Sequence, residues 1–408
     1  MFKKVYLVGG AVRDTLLGKS PKDLDYVVVG ETFDTMRALN FKEVGKNFPV
    51  FHHPETQDEY ALARREKKVG VGYGGFDFEF GTDVTLEEDL YRRDLTINSM
   101  AKDIETGEII DPYNGRADLE NKVLRHTNTK AFAEDPLRVL RLARFAAQLG
   151  EEWTIHEDTK ALLPAASKEI EHLSAQRIWE EMNKALHSAN PWIFFKVLTG
   201  LGVFSEIDEM VGIPQRKDYH PEGDVYVHTG MVVEYASKTF NNPVLTFGAL
   251  CHDFGKAHCH RKYGKLAGHD EEGIPFVEEF CRKFKVPNEF RDFAVLATKY
   301  HQKLHYGLEM KPSSILRLFK DTGALRGDVG RQRFELLLKA GECDSRGRGE
   351  PFNTMDTPEL DHLKNCLDAV FAVDTKVISE RLLKEGVKGH VIGEHIHKAQ
   401  LEVIKVLC

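Results

Sequence analysis

The chain opens as short apolar runs divided by polar turns and continues as long stretches with apolar residues three and four apart. VYLVGG, LDYVVVG and EYALARR each gather β-favouring residues within the length of a strand and predict three short strands. AVRDTLLG, between the first two, predicts a brief helix closed by Gly18, and FDTMRAL predicts a second. GVGYGGF, residues 70–76, predicts a glycine-rich loop. From about residue 116 the period becomes helical and stays so, as in DPLRVLRLARFAAQLG. Pro191, Pro214 and the stretch RKDYHPEGD mark a boundary near residue 215, beyond which the chain is helical and rich in histidine. The pattern predicts an α+β head over 1–115, a helical region over 116–215 and a second helical region over 216–408, with no internal repeat.

Composition narrows this picture only a little. The 408 residues are 42% hydrophobic and 29% charged, as in an ordinary globular protein of several domains. No apolar run approaches the ~20 residues of a membrane helix. MFKKVYLVGG is basic and then apolar, but too briefly so for a signal peptide. The six cysteines are scattered with no C-x-x-C, so no disulfide framework is needed and a reducing cytoplasm is expected. A net charge of -8 means that any nucleic-acid partner must be held by local basic patches.

The chemistry starts at LVGGAVRDTLLGKSPKDLDYVVVG, residues 7–30. If Asp23 and Asp25 open one strand, their carboxylates share a face and repel, and a hard divalent cation relieves the repulsion. Magnesium suits the pair, because it takes one or two carboxylates and fills its other positions with water and phosphate oxygens. Gly9 and Gly10 let backbone N–H groups approach a polyphosphate, and Arg13 adds a positive charge at the same end. The reaction class this suggests is two-metal nucleotidyl transfer, with Glu59 as the expected third carboxylate and Glu66 as its alternate. GVGYGGF is not a Walker loop, since no Gly-Lys-Ser/Thr follows.

GGAVRD…DLD resembles the nucleotidyltransferase signature of the DNA polymerase β superfamily. RRDLTINSMA (92–101) and EDPLRVLRLARF (134–145) narrow the resemblance to class II CCA-adding enzymes and their poly(A) polymerase relatives. GKNFPVFHHP, DPYNG and LSAQRIWEEM extend it over nearly the whole chain, and the likeness is greatest to the multifunctional bacterial form with an HD domain. The resemblance implies a polymerase β-like head, an all-α neck and body, and an all-α HD domain. It implies addition and repair of the 3′-CCA end of tRNA from CTP and ATP, with release of pyrophosphate, by a monomer or homodimer. In RRDLTIN it assigns Arg93 to the triphosphate, and Asp94 and Asn98 to the ribose. A 2′-OH both donates and accepts, so an acid beside an amide suits it.

Asp135 and Arg138 stand three apart on one predicted helix, with Arg141 a step further round. Cytosine and adenine both present an amino donor beside a ring acceptor. An Asp/Arg pair matches that order and mismatches uracil and guanine, for ~1–3 kcal/mol of discrimination. The same spacing also suits an ordinary salt bridge, and the resemblance favours the template role. For the switch from C to A the resemblance implies a flexible loop, expected at GVGYGGF or in the stretch up to Asp89. A simple hairpin connection is the other reading of those residues.

In the histidine-rich part, His228, His252-Asp253, His269, His301 and Asp344 resemble the HD phosphohydrolase signature, in order. Imidazoles with carboxylates suit nickel, manganese or cobalt better than magnesium, and the resemblance implies 2′,3′-cyclic phosphodiesterase, 2′-nucleotidase and phosphatase activities. His258, Cys259 and His260 lack zinc-finger spacing and read as bystanders. Two further readings stay open: a poly(A) polymerase, and an HD phosphohydrolase with an RNA-binding head.

Overall fold

The computed structural model describes residues 2, 4–44, 50–68 and 76–408. They form two compact units, one of residues 1–185 with 193–204, the other of 186–192 with 205–408.

The first unit is built on a mixed sheet. Its strands are β1 (Val5–Val8), β2 (Asp25–Val28), β3 (Lys42–Val44), β4 (Val50–His52) and β5 (Glu59–Leu62). A hairpin of β6 (Arg64–Lys68) and β7 (Phe76–Phe80) follows, and β8 (Ala101–Asp103) and β9 (Ile109–Ile110) complete the set around the sheet. The sheet order is β3-β4-β5-β2-β1-β8-β9, with β6 and β7 paired apart. β2 runs antiparallel to β1 and parallel to β5, in a register that places Asp25 opposite Glu59. Strand alternation then buries neighbouring residues on opposite faces. Val28 joins Phe2, Val5, Met36, Phe41, Phe51 and Leu62, whereas Val27 joins Val8, Ala63, Val84, Leu90 and Ala101.

The three predicted strands are present, with EYALARR broken at Ala63 into β5 and β6. The predicted helices lie at Gly10–Leu16 and Phe33–Ala38, and Gly18 follows the first in the left-handed region. The loop expected at 70–76 falls outside the described residues up to 75, and so do residues 45–49 of GKNFPVFHHP. β6 and β7 pair antiparallel from Arg64↔Phe80 to Lys68↔Phe76. The residues between it and Asp89 are not one loop: they include β7 and the helix Leu86–Tyr91. Thr85 and Glu88 close that helix with a reciprocal capping box, a strong local start signal.

Past residue 115 the regular elements are helices, apart from a small parallel pair, Val123–Leu124 and Thr154–Ile155. The helix Leu137–Leu149 starts directly after Pro136, whose fixed φ suits a first turn. In the second unit the helices Val225–Phe240, Pro243–Cys251, Asn288–Leu304 and Gly327–Arg346 pack on one another. Gly248 lets two of them touch closely, since a Cβ there would lie 2.6 Å from the Phe293 ring. Among the described residues, no helix is long and apolar enough to cross a membrane.

Candidate active sites

One cleft in the first unit collects nearly every head residue singled out above. It holds about 470 Å³ and is lined by Gly9, Gly10, Arg13, Asp25, Glu59, Arg93, Asp94, Asn98, Asp135, Arg138 and Arg141, among others. Asp25 and Glu59 are register partners in parallel strands, so their carboxylates project from the same face of the sheet. The Asp25 carboxyl is pushed above its usual range, by burial first and then by the Glu59 and Asp23 carboxylates, against a downward pull from Arg93. Asp23 lies just before the strand, whose ladder begins at Asp25, not within it as expected. It occupies an exposed bend after Pro21, because the ladder starts only at Asp25, and it is not among the lining residues. Glu66, the alternate, has its backbone in β6.

Gly9 is where backbone and guanidinium meet. Its φ is +68°, and a Cβ there would lie 2.8 Å from Arg93 Nη1. Arg93 is aimed from below by Asp89, whose carboxylate takes Arg93 at 3.2 Å and Arg92 at 2.8 Å. Asp89 is fully buried. Burial works to raise its pKa, but the charges of Arg92 and Arg93 outweigh that and hold it low. Arg93 is in turn pulled below the usual arginine range by burial, which Asp89 only partly offsets. Its Nε is buried without a hydrogen-bond partner among the described residues. Asp89 was not foreseen. Its spacing of three and four from the arginine pair was the available signal.

Asp94 forms a second node. Its carboxylate accepts from the Leu95 N–H (2.8 Å), Asn98 Nδ2 (3.1 Å) and Arg141 Nε (2.7 Å). Burial opposes ionisation there, yet Arg141, Asn98 and Arg138 hold the pKa below the ordinary range. Asn98 Oδ1 accepts from Arg13 at 2.7 Å, so a relay runs Arg13–Asn98–Asp94–Arg141. Arg138 Nη1 and Nη2 donate to the carbonyls of Arg93 (3.1 Å) and Arg92 (2.6 Å), while its Nε lies 3.6 Å from Asp135. The Asp135–Arg138 pair is therefore local, as the spacing predicts, and is also tied to the RRDLTIN segment by backbone bonds that the spacing does not reveal.

The second unit holds the other cluster. His228, His252, Asp253, His269, His301 and Asp344 are all buried, between 0 and 7% exposed. Two trios, His228–His252–Asp344 and Asp253–His269–His301, each gather their ligand atoms within 4.8 Å. Asp253 joins them: its Oδ1 is 3.1 Å from His269 and 3.7 Å from His301, its Oδ2 3.2 Å from His252. The Nδ1 atoms of His252, His269 and His301 bond the carbonyls of Ala249, Leu266 and Thr298 at 2.7–2.9 Å. A carbonyl only accepts, so these Nδ1 atoms carry a proton and each ring turns its Nε2 inward. The Nε2 atoms of His269 and His301 lie 3.0 Å apart. His252 Nε2 and both Asp253 oxygens are buried without an aligned hydrogen bond. Such a donor set fits a divalent metal, with the carbonyls as outer-shell anchors. Burial, then the charges of His252 and Lys256, act oppositely on Asp253, and the charges win by a wide margin. His301 is pushed down to about 3 by burial and by its histidine neighbours.

Three participants here were missed. Lys256 Nζ lies 2.6 Å from Asp253, His305 Nε2 bonds Asp344 at 2.7 Å, and Glu222 lies 2.8 Å from His228 Nδ1. His258 stands apart, facing Glu272 at 3.5 Å.

A family model for the poly A polymerase head domain matches residues 5–125, and one for the probable RNA and SrmB-binding site of polymerase A matches 153–210. A curated protein of Dechloromonas aromatica, named Multifunctional CCA protein, is 45% identical, over 99% of this chain and 97% of its own length. Its namesake from Shewanella frigidimarina is 44% identical, over 98% of this chain and 96% of its own length. The chain is also similar to a solved CCA-adding enzyme in an apo form, with a TM-score of 0.64 and 22% identity, covering 98% of this chain and 87% of that one. The Bacillus stearothermophilus CCA-adding enzyme in complex with CTP gives a TM-score of 0.60 at 21% identity, covering 98% and 88%.

Proposed function

The chain belongs to the family of multifunctional CCA proteins, and from that premise we propose that it builds and repairs the 3′-CCA end of tRNA from CTP and ATP, releasing pyrophosphate. The observation that carries the reading is the single cleft that sets the Asp25–Glu59 carboxylates opposite Arg93 and the Asp135–Arg138 pair. Asp25, Glu59 and the nearby Asp23 would hold magnesium, which when bound screens the carboxylates and the triphosphate from one another and stabilises charge developing on phosphorus. The remaining work falls to side chains of the chain itself. Arg93, held by Asp89 and given room by Gly9, would take the triphosphate. Asn98 and Asp94 would orient the ribose while Arg13 and Arg141 hold them in place. Asp135 would accept from the amino group of C or A and Arg138 would donate to the ring nitrogen, exchanging a backbone carbonyl for the base.

In this reading residues 1–115 carry the chemistry, 116–215 support base choice and acceptor binding, and 216–408 form the HD domain. The six buried ligands of the second unit favour a companion activity: metal-dependent phosphohydrolysis of damaged RNA ends, with nickel, manganese or cobalt supplying an activated water when bound. The protein would work where tRNA matures, in the cytoplasm, as a monomer or homodimer.

Incubating the protein with tRNA trimmed of its last three nucleotides, CTP, ATP and magnesium tests this. Extension that stops after C-C-A supports it. A long A tail identifies a polyadenylating enzyme instead. Phosphate release from a 2′,3′-cyclic end without extension leaves only the hydrolase. Asp25→Asn should abolish extension and leave phosphate release intact.

A further inference from the structure

Outside the two clusters described above, the helices Pro358–Phe371 and Gly389–Leu407 pack together. His362 and Cys366 are four residues apart and so share one face of the first helix. Cys408, at the C-cap of the second, meets them. His362 Nε2 lies 3.6 Å from Cys366 Sγ and 3.7 Å from Cys408 Sγ. All three ligand atoms lie within 4.8 Å of one another.

These distances decide what the trio suits. In a tetrahedral zinc site with Zn–S of ~2.3 Å and Zn–N of ~2.05 Å, nitrogen and sulfur stand about 3.6 Å apart. Both observed separations match. A cation bound to all three satisfies every atom at once. Two thiolates and an imidazole select a borderline-soft, thiophilic ion over magnesium or calcium.

We propose that His362, Cys366 and Cys408 form a structural binding site for a thiophilic divalent cation, zinc by its chemistry, clamping the Gly389–Leu407 helix onto the Pro358–Phe371 helix. Binding displaces the two thiol protons to solvent, and the cation takes two thiolates and one neutral imidazole. Cys408 is exposed, which leaves the fourth position to water.

Cobalt(II) loading of the reduced full-length protein distinguishes this site from the HD cluster. The HD cluster offers only nitrogen and oxygen donors. Thiolate-to-cobalt charge-transfer absorption therefore reports the new site alone. The expected result is one cobalt per chain carrying that absorption, displaced by added zinc, retained in His252→Ala and lost in Cys408→Ser and His362→Ala. Cys366 is buried and its serine variant is open to misfolding, whereas Cys408 is exposed, so Cys408→Ser keeps the test sound. No charge-transfer band in the wild type overturns the proposal. So does a band that survives Cys408→Ser, or a Cys366–Cys408 disulfide found in place of bound metal.

Discussion

Replacing Gly9 by alanine tests how the cleft is aimed. Two costs follow from the structure, and they separate. The first is local: Gly9 has φ +68° and ψ -129°, a region nearly reserved for glycine, so alanine there adds ~1–3 kcal/mol of backbone strain. The second is specific to the cleft. The new methyl would lie 2.8 Å from Arg93 Nη1, inside van der Waals contact, with the Asn98 carbonyl at 3.8 Å on another side. The guanidinium must then move by up to about 1 Å to regain ordinary contact of ~3.5–4.0 Å. Asp89 holds it from below, so it cannot follow a bound triphosphate freely. Losing one charge-assisted hydrogen bond costs ~1.5–3 kcal/mol, which is roughly ten- to 150-fold in kcat/KM for CTP incorporation. Gly18 is the control: its φ is +72°, and a Cβ there would meet nothing within 4 Å. Gly18→Ala should lower the urea midpoint without this kinetic loss. In an Arg93→Ala background, Gly9→Ala should cost only its strain, since the clash partner is gone. Equal kinetic losses for the two glycine variants, or a full Gly9→Ala penalty in the Arg93→Ala background, would refute the idea that Gly9 acts through Arg93.

Asp135→Ala should narrow the preference for CTP and ATP over UTP and GTP by about tenfold or more while triphosphate affinity changes less, given ~1–3 kcal/mol for such a pair; single-nucleotide incorporation with each triphosphate measures it, and unchanged selectivity removes the template role. His252→Ala should lower phosphate release from 2′,3′-cyclic ends beyond the ~10–100-fold typical of losing an outer-shell partner, with CCA synthesis retained; parallel loss of both would couple the two units. Glu88 should make the first unit acid-sensitive. Its hydrogen bonds from Arg65 and Thr85 hold its pKa at about 2 instead of 4.5. A depressed carboxyl stabilises the fold above its unfolded value and loses that contribution as pH falls toward the folded one. The urea-midpoint gap between wild type and Glu88→Ala should therefore be full near neutrality, shrink below pH ~4.5 and level off near pH ~2, where only the pH-independent packing and capping difference remains.

Local signals made much of the head legible. The strand carrying Asp25, the short helix behind Gly10 and the helix behind Pro136 are each encoded within a dozen residues. The pairing of Asp25 with Glu59 is different in kind. It depends on β2 lying parallel to β5, with two intervening strands and a helix, and periodicity within either strand says nothing of register. Asp23 sits just before the ladder, which begins at Asp25, yet its charge still acts on the Asp25 carboxyl. Asp89 reads as a surface charge in an amphipathic helix, and only the fold shows it fully buried beneath Arg92 and Arg93. In the second unit the signature residues are legible in order. Glu222 and His305 become visible only when the folded helices bring them against His228 and Asp344.

The charges around the cleft follow a rule that explains both the hits and the misses. Asp89 and Asp94, both buried, are committed to arginines: Asp89 to Arg92 and Arg93, Asp94 to Arg141. A buried carboxylate left unpaired would cost several kcal/mol, so these two positions have no freedom to take a cation. Asp25 and Glu59 have solvent access and, among the described residues, no arginine hydrogen-bonded to either. Acids that a guanidinium covers are thus closed to a cation, and Asp25 and Glu59 are the ones a triphosphate's counter-ion would complete. On that logic Asp89→Asn and Asp25→Asn should fail differently. The first leaves two guanidinia under-compensated and should lower stability along with triphosphate affinity. The second relieves a like-charge contact, so it should leave stability unchanged or raised while extension stops.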